Sequence, residues 1–200
     1  MTTAKDLFLI AMDSRQKQAV GQGDLSLALA GAELIDLLGA GTLTLEDDVL
    51  VPGETSAPDD RLLGEAGARI VRQAPYERVE DWLWRRGKDL AAAYQTALEA
   101  DGVLTPRTAR RLSFGARRVE AVDTPARHEA VDRWERREPV LTALASIVGI
   151  GGEPSDEEPE LDDAATTVVA AVHDAVMELE AVRQRRTIEN TAFANLWRGP

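Results

Sequence analysis

No cysteine occurs anywhere in the chain. That absence removes disulfides, thiolate metal sites and cysteine nucleophiles together, and it fits a reducing compartment, so the expected location is cytoplasmic. Histidine is almost as scarce. His128 stands beside Glu129 and His173 beside Asp174, each without a second histidine at ligand spacing, so surface or structural roles are expected and no metal. Every apolar run is broken by charge or glycine well short of the ~18 residues of a membrane span. The opening Met-Thr-Thr-Ala-Lys-Asp has no apolar stretch of the secretory kind. Nucleophile-elbow, P-loop, dinucleotide and zinc-metalloprotease spacings are also missing, and with them the expectation of an enzyme or a bound cofactor. Aromatics make up 4% of the chain, and 23 Lys and Arg face 35 Asp and Glu, a net charge of -12 that opposes contact with nucleic acid.

What is present is enough apolar material, 44% of 200 residues, for one core. The pattern is mostly helical. Leu7, Phe8, Ile10 and Ala11 predict a first helix with one apolar face; Leu27, Ala30, Gly31, Leu34, Ile35 and Leu38 predict a second, with Asp24 as its cap and Gly39 and Gly41 as its stop. Thr42 to Leu45 and Val49 to Val51 flank the acidic turn Glu46-Asp47-Asp48 and read as a hairpin. Further helices are expected over 59–73, over 79–83 with Trp82 in the core, over 88–100, from Pro125 to about Arg137, over the very apolar 140–148, and over 164–183. Glycines 149, 151 and 152 close the penultimate helix. Glu153 to Asp163 holds seven acids and no base, which predicts a solvated loop. Arg110 to Val122, with Leu112, Phe114 and Val119 around Gly115, reads as a projecting hairpin or basic loop.

Charge is segregated. From Arg85 to Arg137 twelve bases meet eight acids, so this stretch is positive inside an acidic protein. Arginine dominates it, and guanidinium groups take phosphate oxygens in pairs, so an anionic surface is one expected partner; pairing with the chain's own surplus carboxylates is the other reading. A nucleic-acid role for the early hairpin is set aside because its turn is acidic and the helix before it carries Glu33 and Asp36 without a base.

The segment from Asp24 to Glu46, DLSLALAGAELIDLLGAGTLTLE, resembles the hallmark of the Golgi phosphoprotein 3 (GPP34) family. LFLIAMD from Leu7 to Asp13 is similar to that family's leucine-rich opening, and LLGEA from Leu62 to Ala66 to its next helix. GVLT from Gly102 to Thr105, followed by the 110–122 hairpin, is similar to its middle. The resemblance implies a mostly α, single GPP34-like helical domain over 1–183 with short β-hairpins, one projecting, and a C-terminal tail over 184–200. It also implies the bacterial branch, since the chain starts almost at the domain.

Eukaryotic members are peripheral membrane proteins that bind phosphatidylinositol 4-phosphate through a tryptophan and three arginines. Placed on this chain, the tryptophan falls at Gly21 and the arginines at Ala30, Lys88 and Ala91, so one cation remains. The resemblance therefore implies a non-catalytic peripheral adaptor for phosphatidylinositol 4-phosphate or other anionic phospholipid headgroups, with weakened specificity, at the inner face of the membrane. Lys88, helped by Arg85 and Arg86, is the candidate headgroup site. Leu112, Phe114, Arg117 and Arg118 are the candidate hairpin contacts to membrane or to a second copy. The alternative is a homo-oligomeric interaction module that uses the same hairpin without lipid.

Overall fold

The first helix, α1 (Thr3–Ala11), begins where the Thr2 hydroxyl accepts the Lys5 amide at 3.3 Å. Leu7, Phe8, Leu9, Ile10 and Ala11 are all buried, so α1 is enclosed on more than the single face its spacing predicts. Its one half-buried member, Lys5, pairs with Asp60 at 2.6 Å. A computed structural model of the chain describes residues 2–13, 20–55, 59–106, 119–151 and 160–197. Among them eight helices and two small antiparallel hairpins form a mostly helical fold.

The second helix, α2 (Gln22–Gly39), is the axis of the molecule. Leu25, Leu29, Leu34 and Leu37 are at most 2% exposed, and α2 packs against α1 and against α3 (Arg61–Ala68), α4 (Val79–Arg86), α5 (Leu90–Ala100), α7 (Pro139–Ile147) and α8 (Asp163–Trp197). Its N-cap is Gly21; Asp24, the expected cap, lies inside the first turn and is engaged by Arg183 instead. Gly31 marks the crossing with α8. A Cβ there would fall on the Val172 methyl, so only glycine lets the two helices approach this closely.

After α2 the chain makes β1 (Leu43–Glu46) and β2 (Val49–Pro52), paired with Leu43 opposite Pro52 and Glu46 opposite Val49. Asp47 takes the left-handed conformation the two-residue turn needs, at φ 55°. Asp48 pairs with Arg78 and its carbonyl accepts the Val79 amide, which fixes the hairpin to the start of α4. The second ladder, β3 (Leu104–Pro106) with β4 (Val119–Ala121), is the base of the expected projecting hairpin. Leu112, Phe114, Arg117 and Arg118 lie outside the described residues, as does most of the acidic stretch after Gly151.

The remaining helix, α6 (Pro125–Glu135), is capped by the Thr124 hydroxyl and tied to α1 by the pair of Arg133 with the buried Asp6. At the other end of the chain, the Asp162 carboxylate accepts the Ala165 amide at 2.7 Å and starts α8. α8 then runs 35 residues without a break, about 52 Å, passing Arg183 to reach Trp197. Among the described residues no helix is long and apolar enough to cross a membrane.

Candidate functional site

The basic run at the end of α4 separates into three different environments. Val79, Trp82, Leu83 and Arg86 share one face at helical spacing, and that face is the core. Trp82 is fully buried, as its sequence position predicts, and its indole N–H donates to the Ala30 carbonyl at 3.3 Å. Arg86 is drawn in with it, only 5% exposed. Its Nε and Nη2 donate to the two carboxylate oxygens of Glu33 at 2.7 Å each, and the Tyr94 hydroxyl donates to the same carboxylate at 3.0 Å. Burial raises the Glu33 pKa above the ordinary carboxylate value, against which the Arg86 hydrogen bonds and charge work. This triad joins α2, α4 and α5 and holds Arg86 in the core, so burial and the Glu33 pairing both stand against its use for an external ligand.

Arg85 stays at the surface but is also engaged. Its Nε and Nη2 donate to the Glu77 carboxylate at 2.7 Å each, Nη2 also reaches the Arg69 carbonyl, and the guanidinium lies 5.1 Å from the Trp82 ring centroid. The hydrogen bonds it donates to Glu77 are the main reason its pKa lies above the usual arginine value. Arg85 and Lys88 are therefore near in sequence but face different surroundings.

Lys88 opens onto a cleft of about 340 Å³ lined also by Gln22, Gly23, Ser26, Trp84 and Leu179. Three features build it. The α2 N-terminus, whose Gln22 and Gly23 line the cleft, has Gly21 at the capping position and no side-chain cap, so it brings the positive end of the helix dipole there, with Asp24 in the first turn opposing it. Ser26 Oγ accepts the Ala91 amide at 3.0 Å and seats α5 against α2, while Asp89 turns the chain into α5 through a left-handed conformation, φ 57°. Trp84, 37% exposed, forms a wall beside Lys88. Among the described residues Lys88 makes no ion pair, in contrast to Arg85 and Arg86. The arrangement suits a small anion: an ammonium without an ion pair among the described residues, an uncapped helix start and an aromatic side chain meet in one concave place, with Asp89 the one acidic residue on its lining.

Of the positions to which the resemblance maps the tryptophan and arginines, Lys88 lines the cleft and Gly21 is the N-cap of α2 just before the lining residue Gln22, whereas Ala30 and Ala91 are buried in the core. Asp24 and Arg183 are the participants that sequence reading missed. Arg183 Nη1 donates to both oxygens of Asp24 at 2.8 Å and closes α8 over the start of α2. They are 159 positions apart, and neither shows a local pattern beyond that of a cap and a helix end.

The family model of Golgi phosphoprotein 3 (GPP34) matches residues 4–189. No curated protein matches the chain.

Proposed function

The chain belongs to the Golgi phosphoprotein 3 (GPP34) family, whose membership supports a non-enzymatic, adaptor-like role in general, and from that premise we propose that it is a peripheral adaptor that takes an anionic phospholipid headgroup, such as phosphatidylinositol 4-phosphate, in the Lys88 cleft. The observation that carries this reading is the unpaired Lys88 beside the uncapped start of α2. A lysine is a point charge without the planar fork of arginine, so it attracts a phosphate with less demand on geometry, and weak headgroup discrimination follows. Trp84 supplies an apolar body with a polar N–H, suited to the boundary between headgroup and acyl chain. The hairpin based on β3 and β4 serves in this proposal as a second contact through Leu112, Phe114, Arg117 and Arg118. Each basic residue brought to an anionic surface contributes about 1 kcal/mol, so adhesion needs cleft and hairpin together.

Co-sedimentation with phosphatidylcholine vesicles, with and without phosphatidylinositol 4-phosphate, tests the proposal. Wild type is expected to sediment with the phosphoinositide vesicles, and Lys88→Ala to lose about fivefold or more in affinity. Wild type that stays in the supernatant, or a Lys88→Ala variant that binds equally well, overturns it.

A further inference from the structure

Arg183 uses only half of its guanidinium. Nη1 bonds both oxygens of Asp24 at 2.8 Å and lies 3.6 Å from Glu180, while no bond to Nη2 or Nε is made among the described residues. The free half has a definite place. Nη2 lies 2.8 Å from where a Cβ on Gly23 would stand, and the Leu179 side chain touches the same point. Gly23 and Leu179 both line the Lys88 cleft, so the guanidinium edge lies against two residues of its wall on the α8 side. Leu179 and Arg183, four residues apart, share the face of α8 turned to α2. Asp24 in turn folds back over Gly21, into the space where a side chain at position 21 would begin.

A carboxylate seated this way, at a helix N-terminus and against an arginine, occupies the kind of place a phosphate oxygen takes. We propose that Arg183 is the second cation of the cleft, held ready by Asp24, and that a phosphomonoester binds by taking over the Asp24 carboxylate's place on the guanidinium while Lys88 meets its remaining charge. The ligand class follows from counting charges. A monoester carries about two negative charges near neutral pH, enough to offset the guanidinium and the ammonium together, whereas a diester carries one. Asp24 then acts as an internal competitor, which sets the affinity low until the incoming anion is doubly charged. The inference deepens the headgroup reading and rests on it.

Two substitutions in the full chain separate ligand binding from a purely structural ion pair. Arg183→Gln and Asp24→Asn both break the pair, so a structural role moves them in the same direction. The proposal requires opposite signs. On phosphatidylcholine vesicles carrying phosphatidylinositol 4-phosphate, Arg183→Gln is expected to weaken binding about tenfold, and Asp24→Asn to strengthen it by about threefold or more. Arg183→Lys, which keeps the charge and loses the fork, should fall between wild type and Arg183→Gln, and circular dichroism on each variant checks the helix content. Soluble glycerol 3-phosphate, titrated by calorimetry, is expected to show the same order of affinities, which distinguishes a site for the phosphate itself from one that also needs the bilayer. Variants that shift together, or not at all, while Lys88→Ala still abolishes vesicle binding overturn the role of Arg183 and leave the cleft standing. Loss of the Lys88 effect overturns the cleft and the Arg183 proposal with it.

Discussion

Asp36 sits where α1 meets α2, and its carboxylate holds the start of α1 by accepting the Ala4 amide at 3.4 Å. Burial pushes its pKa up to about 6, against hydrogen bonds from Thr3 and Ala4 that pull the other way. The folded protein therefore holds this proton more tightly than the unfolded chain, whose value is 3.8. Stability from Asp36 is full below that value and is lost as pH rises through about 6. Asp6 and Glu33, also raised by burial, tilt the profile the same way. Urea midpoints measured from pH 4 to 7 should show a fall that Asp36→Asn largely flattens; an unchanged slope in the variant would place the effect elsewhere. At the same scale the basic run divides. Arg85, Arg86 and Lys88 look alike in a charge count, yet the step from Val79 to Trp82, Leu83 and Arg86 puts one arginine on the core stripe. Glu33, isolated among the leucines and alanines of α2, was the available sign that a buried partner waited for it.

Among the elements, the α2–α8 crossing depends on Gly31. A valine there must displace Val172 from a packed interface, and overpacking of this kind costs about 1–3 kcal/mol. Gly31→Val should lower the denaturation midpoint accordingly with the slope unchanged, and a neutral result would mean that α8 is not seated on α2 as described. The helices with strong apolar periodicity were legible from the sequence: α2, α7 and the first half of α8 bury or half-bury nearly all the residues their spacing selects, Met177 on α8 being the exposed exception. Boundaries were less so. Nothing in the alternation after Asp59 says that α3 would end at Ala68 rather than continue toward Gln73, because Ile70 is buried without being helical. α8 was expected to stop near Arg183, where the apolar pattern fades, but the helix continues to Trp197. The cleft was legible only through Lys88. Its α8 wall depends on a contact between residues 159 positions apart, and no local pattern encodes that.

For the molecule as a whole, a net charge of -12 opposes the approach to an anionic membrane that the Lys88 cleft would make. The two effects differ in range. Repulsion acts over the screening length, about 30 Å at 0.01 M salt and about 10 Å at 0.1 M, while the cleft's hydrogen bonds act at contact and outlast moderate screening. Vesicle binding should therefore rise as salt is first added, pass through a maximum near about 0.1 M and fall toward 1 M, where the contact charges are screened as well. A steady fall from the lowest salt would show that diffuse attraction, rather than the cleft, does the binding. One consequence reaches beyond adhesion. Every side chain from Gln184 to Asn190 is exposed, so these seven residues carry α8 about 10 Å past Arg183. That stretch is aimed rather than tethered, because its direction is set by how α8 lies on α2.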